Sequence, residues 1–422
     1  MVDIRPALTD ASTTDDIRTV VAAWVEAFVP HAWRDAAATG GRAAIRAVRS
    51  RADYESWYPT FAASGLVVPN WPVEYAGLGL SVAQARVVDA VLAPYNLGRL
   101  NVLGLNSAAP ALFAHGTEEQ RLRFLPPIVR NEEIWCQLLS EPGAGSDLAS
   151  LATRAMRDGD EWVLDGQKVW TTWAHFAHFA LCLARTDPGV SKRRGITYFL
   201  VDLRTPGVHV RPLRHLGGEI DFNEVFLDGV RVADDCRVGA VGDGWRVAGS
   251  TLAGERQMVS GSGGAGVGRI GGSGIERVLE RAVALGRHTE PAIRQDLAQL
   301  WGEQRIRDWT NDRVRARGRD SGALSSIGKI HNASLNQRIQ LLATELLGAD
   351  ALAWNASDDG TGPEAWAASM PFEVHGMLRS RANTIEGGTS EVNRNVVGEK
   401  ILGLPREPDP WTDVPWEQVP RS

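Results

Sequence analysis

The stretch Glu161-Trp-Val-Leu-Asp-Gly-Gln-Lys-Val-Trp170 decides how this chain is organised, because apolar and polar residues alternate on both sides of an Asp-Gly pair. Alternation with a period of two is typical of β-strands, and Asp-Gly is a favoured turn of two-residue hairpins. The stretch therefore predicts a β-hairpin that turns at Asp165-Gly166.

Short β-rich runs surround this stretch from about Ile134 to about Arg237, and helical spacing of apolar residues flanks them on both sides. The other β-rich runs are Phe179 to Leu183, Ile196 to Leu203, Val208 to Val210 and Glu224 to Leu227. We therefore predict an N-terminal α-helical domain over 1–134 and a middle β domain over 135–240. A C-terminal α-helical bundle over 241–405 and an extended, proline-rich tail over 406–422 follow.

Composition excludes several classes of protein. With 44% hydrophobic residues and a net charge of only −6 over 422 residues, the chain is globular and lacks the basic excess of a nucleic-acid binder. It has no uninterrupted apolar run of transmembrane length and no secretion signal, and its three cysteines form neither a metal pair nor a disulfide framework. We expect a cytoplasmic protein that binds neither nucleic acid nor membrane. Only four of its 45 cations are lysines, so a Schiff-base mechanism has few candidates.

Three sequence patterns that commonly mark functional sites are either absent or lack the neighbouring residues that they require. Gly261–Gly266 and Gly266–Gly271 both fit GxGxxG, but the preceding residues have helical spacing, whereas a dinucleotide fold needs a strand there. His175 and His178 have neither an HExxH motif nor a carboxylate cluster beside them, so we expect no metal site. No GxSxG motif marks a hydrolase nucleophile.

The helical spacing of apolar residues singles out one carboxylate, that of Glu255. Positions 245, 248, 252, 255 and 259 step by three and four and carry Trp, Ala, Leu, Glu and Val, so this glutamate shares the apolar face of a helix. Burial raises the pKa of a carboxylic acid towards neutrality, which suits a general base. The alternative is a structural pairing with an arginine, and Arg256 is adjacent.

Two loop-like segments, Ser140 to Asp147 and Thr384 to Glu391, combine glycines with hydroxyl side chains. Glycine lets a ligand approach the backbone closely. Glycine and hydroxyl groups at the N-terminus of a helix can bind an anion such as a pyrophosphate. Each segment taken alone also fits an ordinary capped turn.

Together and in this order, these segments resemble the acyl-CoA dehydrogenase family. The matching stretches span roughly residues 15 to 405, and agreement of five spaced motifs is more specific than any one of them. The motifs are Gly116-Thr-Glu-Glu-Gln120, Gln137-Leu-Leu-Ser-Glu-Pro-Gly-Ala-Gly-Ser-Asp147, Leu164-Asp-Gly-Gln-Lys-Val-Trp-Thr-Thr172, Gly195-Ile-Thr-Tyr-Phe-Leu-Val201 and Ile385-Glu-Gly-Gly-Thr-Ser-Glu391 through Pro405.

The resemblance implies an α+β fold with an N-terminal helical domain, a β-barrel-like middle domain and a C-terminal helical bundle. It implies FAD bound between the last two, and α,β-dehydrogenation of an acyl-CoA thioester in fatty-acid or lipid metabolism. A glutamate would remove the α-proton while the β-hydrogen passes as hydride to flavin N5. Electron-transfer flavoprotein would accept the electrons, and the assembly would be a homotetramer or an α2β2 heterotetramer.

The resemblance also carries roles to individual residues. It places Gln137, Leu139 and Ser140 in the flavin loop, Trp170 and Thr172 against the ring, and Thr389 and Glu391 near the FAD pyrophosphate and adenosine. Ser146 would lie near the cofactor or CoA phosphates, and Ser146 and Arg256 would contact substrate.

The position of the base differs among members of the family. Many place it directly before the Gly-Thr of the C-terminal signature, where this chain has Gly387. A minority, including isovaleryl-type enzymes, place it in a Leu-x-x-Glu-Arg pattern that here is Leu252-Ala-Gly-Glu-Arg256. Helical periodicity and family position therefore converge on Glu255, with Glu386, one residue out of register, as the rival.

Departures from the family pattern keep other functions open. The Arg-x-x-Phe-Gly segment that usually reaches a neighbour's FAD is not visible near residues 287 to 300, and Trp173 stands where asparagine is common. The alternatives are a non-catalytic or partial-site subunit of a heteromeric enzyme, and a flavin oxidase or monooxygenase on the same fold. Pro69-Asn-Trp-Pro-Val-Glu-Tyr75 resembles actinobacterial members, some of which act on steroid side chains. The acyl group, and CoA versus carrier protein, stay open.

Overall fold

The computed structural model describes residues 4–260, 272–316, 323–352 and 370–420. The chain divides into two compact units, Met1–Trp135 and Cys136–Ser422. Both GxGxxG matches, Gly261–Gly266 and Gly266–Gly271, lie outside the described residues.

The first unit is helical. Its helices are α1 (Thr14–Phe28), α2 (His31–Val48), α3 (Arg51–Ala63), α4 (Val82–Leu92), α5 (Ala109–His115) and α6 (Glu118–Arg130). Capping boxes begin four of them, including α1, where Thr13 and Asp16 satisfy each other's backbone N–H groups. Helix α4 begins after the Ser81 cap, and α6 begins after Thr117 with the acidic residues Glu118 and Glu119 in its first turn.

The second unit begins with one sheet of eight strands. They are β1 (Trp135–Leu138), β2 (Arg154–Asp158), β3 (Glu161–Thr172), β4 (Phe179–Arg185), β5 (Ile196–Asp202), β6 (Val208–Leu213), β7 (Phe222–Ala233) and β8 (Arg237–Val238). Their order is β6-β7-β3-β2-β4-β5-β8, with β1 paired to β4. Strand β4 is buried along its whole length, and its alternate residues enter a core with Trp162, Phe199 and Val225.

The predicted turn at Asp165-Gly166 is wrong, because β3 runs through it without a break. The hairpin turns earlier, at Gly159-Asp160, where Asp158 pairs with Glu161 and Gly159 has φ +63°. A two-residue Asp-Gly turn needs a positive φ at the glycine, and Gly166 does not adopt one. Gly166 is used for close approach instead: a Cβ there would lie 2.7 Å from the Cα of Thr153.

Helices follow the sheet in the second unit. They are α7 (Gly244–Ser260), α8 (Ile275–Ala284), α9 (Pro291–Ala316), α10 (Ser325–Glu345), α11 (Phe372–Ser380) and α12 (Ser390–Val396). Apolar residues of α8, α9 and α10 form a shared core that includes Val278, Leu297 and Ile339. After Pro405, where we expected an extended tail, the chain includes a single 3-10 turn, Trp416–Gln418.

Among the residues that the structure describes, no helix is long and apolar enough to cross a membrane.

Candidate active site

A buried ion pair anchors the loop that follows β1. Lys168 on β3 is fully buried, and its Nζ donates to the Glu141 carboxylate at 2.8 Å and to the carbonyls of Leu139 and Leu183. Glu141 also accepts the backbone N–H of Thr153 at 2.9 Å. Burial acts to raise the pKa of Glu141, but Lys168 and the hydrogen bonds outweigh it and lower this pKa. Lys168 therefore holds the predicted flavin loop against β3.

This anchoring places several predicted site residues side by side. Gln137 is half-buried on β1 and Leu139 is buried. The carbonyl of Ser140 accepts the N–H of Val169 at 2.9 Å, so Ser140 lies next to the residue that precedes Trp170.

Trp170 stands out from the end of β3. Its side chain is 56% exposed although it is large and apolar, and its φ is +60°, as is that of Trp173. The pairing of β3 with β7 shifts register between Lys168 and Thr171, and it resumes at Thr171, which pairs with Asn223. Backbone conformations this unfavourable for a bulky residue concentrate at functional sites. The bulge turns the indole outwards, where Phe222 meets its edge at 5.8 Å between ring centroids.

Phe222 connects this surface to the C-terminal helices of the same unit. The guanidinium of Arg379 on α11 lies 5.8 Å from the Phe222 ring centroid. Arg379 also binds both carboxylate oxygens of Glu386, at 3.3 and 2.9 Å, and the Asn383 side chain donates to the same carboxylate at 2.9 Å. Glu386 is therefore held in an ion pair beside the Trp170 surface.

A second buried lysine binds the turn of the C-terminal signature. Lys329 on α10 is fully buried, and its Nζ donates to the carbonyl of Gly388 at 2.6 Å. Burial lowers the pKa of Lys329, and the carboxylates of Glu386, Glu255 and Glu391 act in the opposite direction. The negative charges of both Glu255 and its rival Glu386 thus oppose the lowering of the Lys329 pKa by burial.

Glu255 occupies the helix that the sequence predicts for it. Val247, Ala248 and Thr251 form the deepest face of α7, and Glu255 itself is half-buried. Arg256 belongs to the same helix, but its side chain lies outside the described part of the chain.

Thr389, Glu391 and Ser146 lie at the margins of these groups. Thr389 caps α12, where its hydroxyl oxygen accepts the N–H of Val392 at 3.2 Å. Glu391 is exposed and pairs with Arg394 at 3.0 Å. Ser146 is exposed, and the neighbouring Asp147 binds Lys192 at 2.7 Å.

A cluster of two histidines and two acids joins the β6–β7 connection to α11, and sequence reasoning missed it. His215 Nε2 lies 3.5 Å from Glu219 and 3.6 Å from Asp221, and His375 Nε2 lies 2.7 Å from Glu219. The Nδ1 of His215 accepts the N–H of Gly217, so its Nε2 carries the hydrogen and has no lone pair for a metal. His375 is distant in sequence from the other three residues, so no local motif could have found this cluster. His175, which the sequence also excluded as a ligand, faces Asn223 at 3.2 Å.

The described residues fit a flavin in chemical type. An isoalloxazine ring needs apolar surface, and the exposed ring of Trp170, packed beside the half-buried Phe222, supplies it. Its polar edge and the phosphates need hydrogen-bond donors, and Ser140 and Thr389 carry hydroxyl groups at the two predicted loops.

Family models match the chain in three consecutive regions. They are the acyl-CoA dehydrogenase N-terminal domain over residues 15–132, the middle domain over 136–230 and the C-terminal domain over 242–402. The matched regions follow the helical, sheet and helical order described above.

Individual proteins agree with this match. The chain is 42% identical over 349 residues to acyl-CoA dehydrogenase FadE34 of Mycobacterium tuberculosis, which covers 82% of this chain and 45% of FadE34. The chain therefore spans less than half the length of that relative. It is 38% identical over 359 residues to acyl-CoA dehydrogenase IpdE1 of the same organism, covering 83% of this chain and 88% of IpdE1.

A solved structure described as the Tcur3481-Tcur3483 steroid ACAD has a similar fold. It superimposes with a TM-score of 0.69 at 27% identity over 95% of this chain and 100% of that chain. The predicted fold class and family are thereby confirmed, and the curated relatives are named acyl-CoA dehydrogenases. The chain belongs to the acyl-CoA dehydrogenase family.

Proposed function

We propose that this chain catalyses FAD-dependent α,β-dehydrogenation of an acyl-CoA thioester, with Glu255 as the base. Members of the family are flavoproteins that dehydrogenate acyl-CoA. The exposed, strained Trp170 beside Ser140 and Phe222 supports a flavin ring at the end of β3. When bound, FAD supplies the hydride acceptor.

The observation that carries the assignment of the base is the engagement of its rival. Arg379 and Asn383 donate hydrogen bonds to both oxygens of Glu386, so this carboxylate is fixed by its own element and by α11. The family's usual position for the base is Gly387, which carries no acid. Glu255 is the remaining carboxylate at a family position, half-buried on α7.

The other residues take binding and positioning roles. Gln137, Leu139 and Ser140 would line the ring edge, with Trp170 and Thr172 against its face and Thr389 and Glu391 towards the pyrophosphate and adenosine. Ser146 and Arg256 would contact the thioester substrate. Glu255 would take the α-proton, which becomes acidic as negative charge develops on the thioester oxygen.

The name of one structural neighbour supports a more specific substrate and assembly. That neighbour is called a steroid ACAD and carries a two-part name, Tcur3481-Tcur3483. We propose a steroid-derived acyl group as the first substrate class to test, in a homotetramer or an α2β2 heterotetramer that passes electrons to an electron-transfer flavoprotein.

Glu255→Gln tests the base directly. Glutamine keeps the shape and still hydrogen-bonds, but it cannot accept the α-proton, so reduction of the flavin by substrate should slow by about 10²–10⁴-fold. Anaerobic stopped-flow bleaching of the flavin measures that step. The variant should keep its FAD and still bind a product-like enoyl thioester.

Glu386→Gln is the matched control, because it removes the rival carboxylate of the same site. It should bleach within about tenfold of the wild-type rate if Glu255 is the base. Slow bleaching of Glu386→Gln with near-normal bleaching of Glu255→Gln would identify Glu386 as the base. Normal bleaching in both variants would mean that neither glutamate is the base.

FAD content tests the cofactor and separates the alternatives. The supernatant of denatured protein should contain about one FAD per chain, because one flavin surface is proposed per chain. A flavin-free protein, both alone and with a partner subunit, would contradict the dehydrogenase and leave the non-catalytic subunit. Peroxide release in air equal to substrate oxidation would identify the oxidase instead.

A further inference from the structure

Asn223 is a buried polar side chain to which the proposed mechanism assigns no role. It is fully buried on β7, where it pairs with Thr171 of β3. Burying an amide is costly unless its donor and acceptor groups have hydrogen-bond partners. The reason for an amide at this position therefore lies in the groups that it binds.

Both ends of the Asn223 amide have partners. Its Nδ2 donates to the carbonyl of Thr171 at 3.0 Å. Because a carbonyl oxygen can only accept, this bond fixes the orientation of the amide and directs its Oδ1 towards Nδ1 of His175, which lies 3.2 Å away. His175 Nδ1 therefore carries a hydrogen and donates it to Asn223. The amide thus joins the end of β3 to the loop that follows it.

The Thr171 carbonyl lies between the two tryptophans that have left-handed backbones. Trp170 and Trp173 both have φ +60°, and only two residues separate them. Pairing with β7 is interrupted before Thr171, and the N–H of Trp173 donates to the carbonyl of Asp221 at 2.9 Å. A strained backbone persists only where its surroundings impose it. The Asn223 side chain supplies one such constraint, at the residue directly after Trp170.

Strand β7 also supplies the ring that lies beside Trp170. Phe222 precedes Asn223, and its ring meets the Trp170 indole at 5.8 Å between centroids. Successive residues of a strand point to opposite faces, and here Phe222 is half-buried whereas Asn223 is buried. Phe222 therefore contacts the indole on the exposed side of the bulge, and Asn223 binds its backbone on the buried side.

We propose that Asn223 is a positioning residue for the flavin: its amide fixes the Thr171 carbonyl, and thereby the bulge that presents the Trp170 indole to the ring. This inference rests on the proposed function, which includes the flavin face of Trp170. A merely structural asparagine would stabilise the sheet and leave both the orientation of the indole and the retention of FAD unchanged.

Asn223→Asp and Asn223→Ala test the amide. Aspartate keeps the size and the acceptor for His175, but a carboxylate has no hydrogen to donate to Thr171, and alanine removes both groups. Each variant holoenzyme should release FAD about three- to tenfold faster, which corresponds to the loss of one hydrogen bond. The rise in flavin fluorescence after dilution of the holoenzyme measures that rate. If Asn223→Asp fails to fold, Asn223→Ala decides alone.

Val230→Ala is the matched control. Val230 is fully buried on the same strand and pairs with Leu164 rather than with the residues around Trp170. Its truncation also destabilises the sheet, because it leaves a cavity, but this variant should release FAD at the wild-type rate. Equal acceleration in Val230→Ala and the Asn223 variants would show that FAD release follows from lost stability and would overturn the inference.

A double-mutant cycle tests whether Asn223 acts through Trp170. A Trp170→Gly holoenzyme has no indole to present, so adding Asn223→Ala should not accelerate FAD release further. Additive effects of the two substitutions would mean that Asn223 affects FAD by another route, and they would overturn the inference.

Fluorine NMR of protein labelled with 5-fluorotryptophan follows the indole itself in the full chain, with or without FAD. The Trp170 resonance is the one that is missing from Trp170→Phe. It should shift or broaden in both Asn223 variants and keep its wild-type position in Val230→Ala. An unchanged resonance in the Asn223 variants would overturn the inference and leave the proposed function intact. A wild-type chain that binds no flavin would overturn the proposed function, and the Trp170 resonance would still show whether Asn223 sets the bulge.

Discussion

Trp170 and Trp173 hold left-handed backbone conformations that large side chains rarely adopt. Such a conformation costs about 1–3 kcal/mol and persists only where the surroundings impose it. Here the bulge in β3 imposes it, and the result is an exposed indole at the predicted flavin face. Contact between the Trp170 indole and the isoalloxazine ring of bound FAD would explain both the backbone strain and the exposure of the side chain.

Trp170→Gly separates stability from flavin binding. Glycine tolerates a positive φ and the indole is more than half exposed, so the free energy of unfolding of the FAD-free protein should change by less than about 1 kcal/mol. Loss of the aromatic contact should weaken FAD retention by about tenfold. Denaturant titration and equilibrium dialysis measure the two quantities. Trp170→Phe, which keeps a ring, should retain more FAD; equal FAD affinity in both variants would argue against ring contact.

Glu141→Gln tests the buried ion pair with Lys168. The variant leaves a buried ammonium without its counter-charge, so the free energy of unfolding should fall by about 3–5 kcal/mol at neutral pH. The control is Glu161→Gln on the same sheet, where the pair with Arg231 is half-exposed and contributes about 0–1 kcal/mol.

The pH dependence of this difference follows from the lowered pKa of Glu141. Its contribution is fully present above the unfolded-state pKa of about 4.3, and it is lost as pH falls through the lower folded-state pKa. The difference in the free energy of unfolding between wild type and Glu141→Gln should therefore become smaller below about pH 4. Urea titrations from neutral to acid pH measure it; a difference that stays constant with pH would show that folding does not lower the pKa of Glu141.

At the scale of elements, Trp416 and the backbone beside it dock the segment after Pro405: the N–H groups of Trp416 and Glu417 donate to the carbonyls of Val190 and Pro188. Trp416 is 8% exposed, its Nε1 donates to the carbonyl of Ser150, and the Arg185 guanidinium lies 4.2 Å from its ring centroid. Arg185 is itself buried and donates to the carbonyls of Ala149 and Leu151. The segment thus covers the loop that follows Ser146 and Asp147.

Trp416→Ala should release this segment. Truncating a buried tryptophan costs about 3–5 kcal/mol of stability, and the remaining contacts of so short a segment cannot compensate for that loss. Limited proteolysis should then cleave between residues 405 and 415 much faster than in the wild type. Trp411→Ala is the control, because Trp411 is 40% exposed on the same segment. Equal cleavage of the two variants would mean that Trp416 does not anchor the segment.

At the scale of the whole molecule, α9 carries large apolar side chains on its surface. Trp301, Ile306 and Trp309 are 50%, 52% and 67% exposed. Exposed apolar groups of this size, close together on one helix, are typical of interaction surfaces. They support the proposed tetrameric assembly.

Trp309→Glu tests that assembly. A carboxylate at a buried contact is costly, so the variant should shift the protein towards smaller species in light scattering without lowering the unfolding midpoint of the isolated chain. Met156→Glu is the control, since Met156 is 59% exposed on β2. A stable, fully flavinylated monomer in the wild type would contradict the assembly altogether.

Local sequence patterns were sufficient for the family and for the order of helices and sheet. Helix caps, periodicity and short motifs depend on residues close together in the chain, so they can be read without a fold. The same patterns predicted a turn at Asp165-Gly166. In the fold, Gly166 lies inside strand β3, where the backbone approaches Thr153 too closely for a larger side chain.

Contacts between distant residues were decided by tertiary structure alone. The sequence left Glu386 as a rival to Glu255, and only folding brings Phe222 of β7, far away in the sequence, to the Arg379 that pairs with Glu386. Lys329 is 59 residues from the carbonyl that it binds, and no sequence spacing predicts such a contact. The physical reason is that the charge state and hydrogen bonding of a buried group depend on which groups surround it in space, and those neighbours come from separate elements.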